Sequence, residues 1–165
     1  MAVNTSEFPN AAARVLDRAA IVAKTNSARK SGQTIVFANG CFDVLHAGHI
    51  RYLQGARELG DVLVVAINAD DQVKALKGNA RPILSELERA ELVASISVVD
   101  FVTIFAEPTV EQLLLAIKPD VHAKGTDYTE ETVPEREVVR AFGGRVAIVG
   151  DPKNHSTSEM LKRFK

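Results

Sequence analysis

The sequence predicts a doubly wound α/β domain: five parallel strands in the order 3-2-1-4-5, with an extra helix ahead of the first strand. Three observations lead there. Short apolar runs alternate with helix-period segments five times along the chain. One run, Val62-Leu63-Val64-Val65-Ala66-Ile67, is apolar at every position, as in parallel strands covered by helices on both faces. The 165 residues show no repeat, low-complexity tract or break in composition, and suit one domain with a sizeable core.

Residues 1–7 read as a lead. From about Asn10 to Lys30, Ala12, Val15, Leu16, Ala19, Val22 and Ala23 recur at helical spacing, with Pro9 suited to a first helical position and Gly32 ending the element. Residues 1–32 are therefore expected to be a lead and a helix packed on the main body, with a dimer contact as the alternative role; residues 33–165 form the main body, in one compact domain overall. The first strand is Thr34–Ala38, followed by a helix over Ile50–Leu59. Gly60-Asp61 breaks to the second strand, Val62–Ile67. Asn68–Arg81 reads as a polar loop carrying Lys74, Lys77 and Arg81. Ser85 and Glu88 form a capping box opening a helix to about Ser97. Val98–Phe105 is the third strand, Thr109 caps a helix to Ile117, and Val121–Ala123 is the fourth strand. Lys124–Tyr128 follows as a loop, Pro134–Phe142 as a helix, Arg145–Val149 as the fifth strand, and Ser156 starts the last helix. The arrangement is Rossmann-like, and its ligands are expected at the carboxyl ends of the strands, near the switch in strand order.

Bulk properties narrow the function. Hydrophobic content of 46%, charged content of 25% and a net charge of −1 fit an ordinary globular protein and imply no nucleic-acid or polyanion partner. No apolar run is long enough to span a membrane, and Glu7, Asn10 and Arg14 stand where a secretory signal would need apolar residues. With Cys41 as the single cysteine, no intrachain disulfide framework can form, and a cytoplasmic location is expected.

The chemistry concentrates in Asn39-Gly40-Cys41-Phe42-Asp43-Val44-Leu45-His46-Ala47-Gly48-His49, between the first strand and its helix. Residues i and i+3 share a helix face, and a helix N-terminus attracts anions, so His46 and His49 could hold phosphate. The pair could instead be satisfied by packing. Zinc binding with Cys41 and Asp43 has little support without a metal-spaced Cys/His set. There is no P-loop, no G-x-G-x-x-G fingerprint and no nucleophile elbow. The Cys41 backbone N–H is expected to matter more than its sulfur.

Gly40 to His49 resembles the G-x-F-D-x-x-H-x-G-H signature of nucleotidyltransferases related to cytidylyltransferases, and the likeness extends from about Gln33 to the C-terminus. The resemblance implies that Asn39, Gly40, Cys41 and Phe42 meet the nucleotide, Cys41 and Phe42 mainly through backbone N–H groups. His46 and His49 would hold the triphosphate and the transition state. Ser156-Thr157-Ser158 resembles the family's second phosphate contact. Lys77-Gly78 with Arg81-Pro82 resembles a mobile basic segment closing over substrate phosphates, with Arg89 a further cation; Lys77 joins the histidines as a catalytic candidate. Lys124-Gly125-Thr126-Asp127-Tyr128 resembles the K-G-G-D-Y segment of bacterial heptose 1-phosphate adenylyltransferases, with Thr126 in place of the second glycine, so Lys124, Gly125, Asp127 and Tyr128 would also face the nucleotide. Cytidylyl-transferring relatives tend to carry an Arg about five residues before the Ser/Thr motif, where this chain has Asp151.

The implied reaction is transfer of AMP from ATP to a heptose 1-phosphate, giving ADP-heptose and pyrophosphate. The alternatives are transfer to another phosphorylated small molecule, such as glycerol 3-phosphate or flavin mononucleotide, and a catalytically silent nucleotide-binding module. Mg²⁺ is expected to bind chiefly through the nucleotide phosphates, with no dedicated protein metal site. The resemblance also implies a homodimer. This branch often occurs fused to a kinase, for which 165 residues leave no room, so a separate polypeptide is expected to supply the sugar 1-phosphate.

Overall fold

In a computed structural model, which describes residues 10–152, five parallel strands form one sheet in the order β3-β2-β1-β4-β5. The strands are β1 (Ile35–Gly40), β2 (Val62–Asn68), β3 (Phe101–Phe105), β4 (Val121–Gly125) and β5 (Arg145–Val149). The helices are α1 (Arg18–Lys30), α2 (Ala47–Arg57), α3 (Asp70–Lys77), α4 (Glu86–Ala94), α5 (Glu111–Ile117) and α6 (Arg136–Ala141). Both the strand order and the parallel pairing match the expectation from sequence.

Alternation along the central strands builds two cores. Val36 and Ala38 of β1, with Leu63, Val65 and Ile67 of β2, face Leu53 of α2 and Val93 of α4. The intervening Ile35, Phe37, Val62, Val64 and Ala66 face Ile21 of α1, Leu114 of α5 and Val139 of α6. Side chains on a strand point alternately to opposite faces, so a run apolar at every position needs helices on both sides. Each such aliphatic side chain contributes about 1.5–3 kcal/mol when fully buried.

The N-terminal segment is not one helix. A short 3-10 turn covers Ala11–Arg14, and α1 starts only at Arg18, capped by Asp17, whose Oδ1 accepts from Ala20 N at 2.8 Å. Between them Val15 bridges Val102 in parallel, and Leu16 N donates to the Val102 carbonyl at 2.8 Å. Val15 and Leu16 fit a helical period, but they pack along the edge of β3. Within α1, Ile21, Thr25 and Ala28 turn inward, and Thr25 Oγ1 satisfies itself on the Ile21 carbonyl at 2.9 Å.

The Asn68–Arg81 stretch, expected to be a loop, contains α3. Its pattern was faint because Val73 is its single buried residue; the helix is supported instead by Asp70 and Asp71 in its first turn and Lys74 and Lys77 in its last, matching the helix dipole. The capping box of Ser85 and Glu88 is present at the start of α4. Thr109 does not cap α5: Val110 occupies that position, without a side-chain hydrogen bond. β3 begins at Phe101, since Val99 N is turned back onto the Ile96 carbonyl. β4 runs on through Lys124 and Gly125, which were expected in a loop. Among the described residues no helix is long and apolar enough to cross a membrane.

Candidate active site

β1 pairs with β2 on one side and with β4 on the other, so the chain's winding reverses between β1 and β4. A cleft of about 660 Å³ opens there, at the carboxyl ends of the strands. One wall is the turn after β1, the other the end of β4, and Lys77 lines it from the end of α3.

The turn is braced from behind. Phe42 has a positive φ of 48°, a conformation that costs a non-glycine residue about 1–3 kcal/mol unless its surroundings enforce it. The enforcement is visible. The Phe42 ring is buried against Tyr52 (ring centroids 6.5 Å apart) and His49 (5.3 Å). A Cβ on Gly40 would come within 3.1 Å of that ring, a tight contact that the ring would have to ease. The buried Asp43 carboxylate accepts from Ile83 N at 2.7 Å, from Leu84 N at 3.2 Å and from Arg81 Nε. Burial disfavours its charge, but these donors outweigh burial and hold its pKa below the usual carboxylate value.

His46 caps α2 and His49 lies in its first turn, with the imidazoles stacked at 3.9 Å between centroids. His46 Nδ1 accepts from Gly48 N at 3.1 Å, so the proton of the neutral ring belongs on Nε2. Burial, reinforced by His46 and Lys77, pushes the His49 pKa down to about 4. At neutral pH His49 thus offers an uncharged N–H donor beside His46 at the positive end of a helix. Burial also raises the Cys41 thiol pKa, against a weaker opposing pull from Lys77 and Arg89, so its sulfur is not an activated thiolate.

On the β4 wall, Asn39 Oδ1 lies 3.0 Å from His122 Nε2 and 3.5 Å from Lys124 Nζ. Lys124 is buried, 3.8 Å from Glu135 and with its ammonium 4.7 Å from the Tyr128 ring centroid. Burial lowers its pKa, opposed by Glu135. The Tyr52 hydroxyl donates to the Ala123 carbonyl at 2.8 Å, tying α2 to β4, and burial raises its pKa. Thr126 Oγ1 donates to the Asp151 carbonyl at 2.7 Å, so the residue that departs from the K-G-G-D-Y pattern joins two loops at the rim. Arg51 pairs with Asp151 at 2.6 Å on the same rim. Gly125, Asp127 and Tyr128 also line the cleft. Ser156, Thr157 and Ser158 lie outside the described residues.

Two expected phosphate cations are placed elsewhere. Arg89 is wholly buried behind the turn, where its guanidinium donates to the carbonyls of Leu84 (3.1 Å), Cys41 (2.5 Å) and Asn68 (2.8 Å) and to Asp70 Oδ1 (2.7 Å). These bonds leave it no room to meet a ligand. Arg81 is bound to Asp43, largely buried and absent from the cleft lining. Of the three expected cations, Lys77 alone lines the cleft. The sequence reading missed Arg51 and Tyr52. Tyr52 stands three residues after His49 on α2, a helical spacing that could have found it, whereas Arg51, two residues after, carries no such signal. Among the described residues no three His, Cys, Asp or Glu side chains converge as a metal site.

A doubly wound parallel sheet, with a histidine-bearing helix start in the cleft at its switch point, defines a Rossmann-like α/β domain. Over residues 37–162 the chain matches the cytidylyltransferase-like family, and it belongs to that family of nucleotidyltransferases. It is 48% identical over 147 residues to a bifunctional protein HldE from Pelobacter propionicus, covering 89% of this chain and 30% of that protein. It therefore spans about a third of the length of the curated relatives it matches. A lipopolysaccharide core biosynthesis protein from Thermoplasma volcanium superposes with a TM-score of 0.63 at 29% identity, over 74% of this chain and all of that one. A pantoate-beta-alanine ligase from Francisella tularensis, 18% identical, shares the fold with a TM-score of 0.64 over 87% of this chain and 68% of its own.

Proposed function

We propose that this domain transfers AMP from ATP to a heptose 1-phosphate, releasing pyrophosphate and forming ADP-heptose, a precursor for lipopolysaccharide or a related glycan. The observation that carries the reaction type is the stacked His46–His49 pair at the start of α2, in the cleft that Lys77 also lines. The Lys124–Tyr128 wall and the relatives named above support the choice of acceptor.

A phosphate monoester has a second pKa of about 6, so the attacking oxygen is already ionised near neutrality and no general base is required. That oxygen bonds to the α-phosphorus of ATP as the bond to the β-phosphate oxygen breaks, and the electron pair leaves with pyrophosphate. The difficulty is to bring two anions together in line. Catalysis is therefore positioning and charge stabilisation. His46 and His49 donate N–H groups to the triphosphate and the transition state, and Lys77 adds positive charge. The turn at Gly40, Cys41 and Phe42 supplies backbone N–H groups, Lys124, Gly125, Asp127 and Tyr128 form the nucleotide wall, and Ser156-Thr157-Ser158 is a second phosphate contact. Mg²⁺ would be held chiefly by the triphosphate and would supply charge neutralisation there. The reading goes with a cytoplasmic enzyme and a homodimer, the latter checked by light scattering in solution.

The test is pyrophosphate release across ATP, CTP and GTP with heptose 1-phosphate, glycerol 3-phosphate and flavin mononucleotide as acceptors. ATP with the heptose should be preferred. A clear preference for CTP or another acceptor would replace the substrate assignment, and nucleotide binding without turnover on any acceptor would make the domain a binding module.

A further inference from the structure

His122 is fully buried and polar, and the chemistry above does not use it. It pairs in register with Phe37 across β1 and β4, and its ring meets the Phe37 ring edge-on at 5.6 Å. Asn39, two residues beyond Phe37, projects from the same face of β1. That brings the Asn39 amide oxygen to 3.0 Å from His122 Nε2, while His122 Nδ1 has no hydrogen-bond partner among the described residues.

The two ends of an amide look alike in shape, but only one fits here. Turning the Asn39 NH2 group inward would press its donors against Lys124 Nζ, at 3.5 Å, and leave that ammonium without this acceptor. With the oxygen inward, His122 must supply a proton on Nε2. Nδ1 is then a bare lone pair, which is cheaper to bury than an orphaned N–H donor. Burial and the neighbouring Lys124 depress the His122 pKa to about 3, in keeping with a neutral ring.

We infer that His122, with Lys124, is a positioning residue that locks the Asn39 amide so that its NH2 group faces the cleft as a donor to an oxygen of the bound nucleotide. This deepens the nucleotidyl-transfer reading and rests on it for the identity of the ligand. The lock is a contact between β1 and β4 made at the level where the cleft begins, so the amide is oriented before any ligand arrives.

Two measurements test it. In the full chain at pH 7, the ¹⁵N signals of the His122 imidazole should report a neutral ring protonated on Nε2; a proton on Nδ1 would overturn the lock. By calorimetry, His122→Leu should weaken ATP binding about 10-fold, roughly one hydrogen bond. His122→Gln, whose amide nitrogen can take the place of Nε2, should restore most of it. Adding His122→Leu to Asn39→Ala should weaken binding no further than Asn39→Ala alone. Additive losses, or a folded His122→Leu variant with unchanged ATP affinity, would remove His122 from this role. If His122→Leu does not fold, the tautomer decides. Failure of the wild type to bind ATP, CTP or GTP would sink the nucleotidyl-transfer reading, while the tautomer would still decide the lock.

Discussion

Lys77 and Arg89 flank the same bend and carry the same charge, yet one lines the cleft and the other is walled in behind it. The difference lies in what each head group can satisfy. A guanidinium offers five donors in a fixed fork, and Arg89 spends four bonds on three carbonyls and a carboxylate around the turn. An ammonium on a flexible stem suits a ligand that arrives and leaves. Arg81, held by Asp43, stands with Arg89. Of these cations, the arginines hold the turn after β1 in shape and the lysine is left facing the cleft.

This division can be broken. Arg89→Ala should have the largest effect, lowering stability by about 3–5 kcal/mol, because it orphans buried carbonyls and the Asp70 carboxylate. Denaturant midpoints read this directly. A variant that keeps its midpoint but loses turnover would make Arg89 a substrate cation after all. His49→Ala should lower kcat by about 10²-fold or more in a pyrophosphate-release assay, the usual loss for a transition-state donor, with the fold retained. Lys77→Ala should reduce kcat/KM by about 10- to 100-fold, the worth of a hydrogen bond to a charged group, without moving Tm. An unmoved kcat/KM would place Lys77 among the solvated surface charges.

The smallest effect concerns pH. The His49 pKa falls from an ordinary 6.5 in the unfolded chain to about 4 in the folded one. Between those values the unfolded chain binds the extra proton, so stability is full above pH 6.5 and declines as pH falls toward 4. The slope from one such group is at most about 1.4 kcal/mol per pH unit. His49→Gln should flatten the acid limb of a midpoint-versus-pH curve; an identical limb would mean that His49 is not held neutral by its surroundings.

Much of this was legible in the residues themselves. The buried parallel strands followed from apolar runs such as Val62–Ile67, and Arg145–Val149 forms β5 with the bounds expected. The histidine pair at a helix start was readable from Asn39 to His49, because strand, turn and cap are local features. Partnerships across distant segments were not. Arg89 meets Cys41 and Asn68, and Arg81 meets Asp43, through contacts that charge and spacing do not encode. The same holds for Val15 and Leu16, whose helical period concealed a strand-edge contact, and for α3, whose single inward residue left no stripe to detect.

That strand-edge contact has a consequence for handling the protein. β3 is an outermost strand, and an uncovered strand edge invites the sheet of another molecule to add on. Leu16 takes up the Val102 carbonyl there, and Arg14 clasps the carbonyls of Ala94 and Val99 beside it. A chain trimmed to begin at Arg18 would keep every cleft residue described above and lose this selvedge. Its defect would show first as self-association, with the chemistry of each remaining monomer intact.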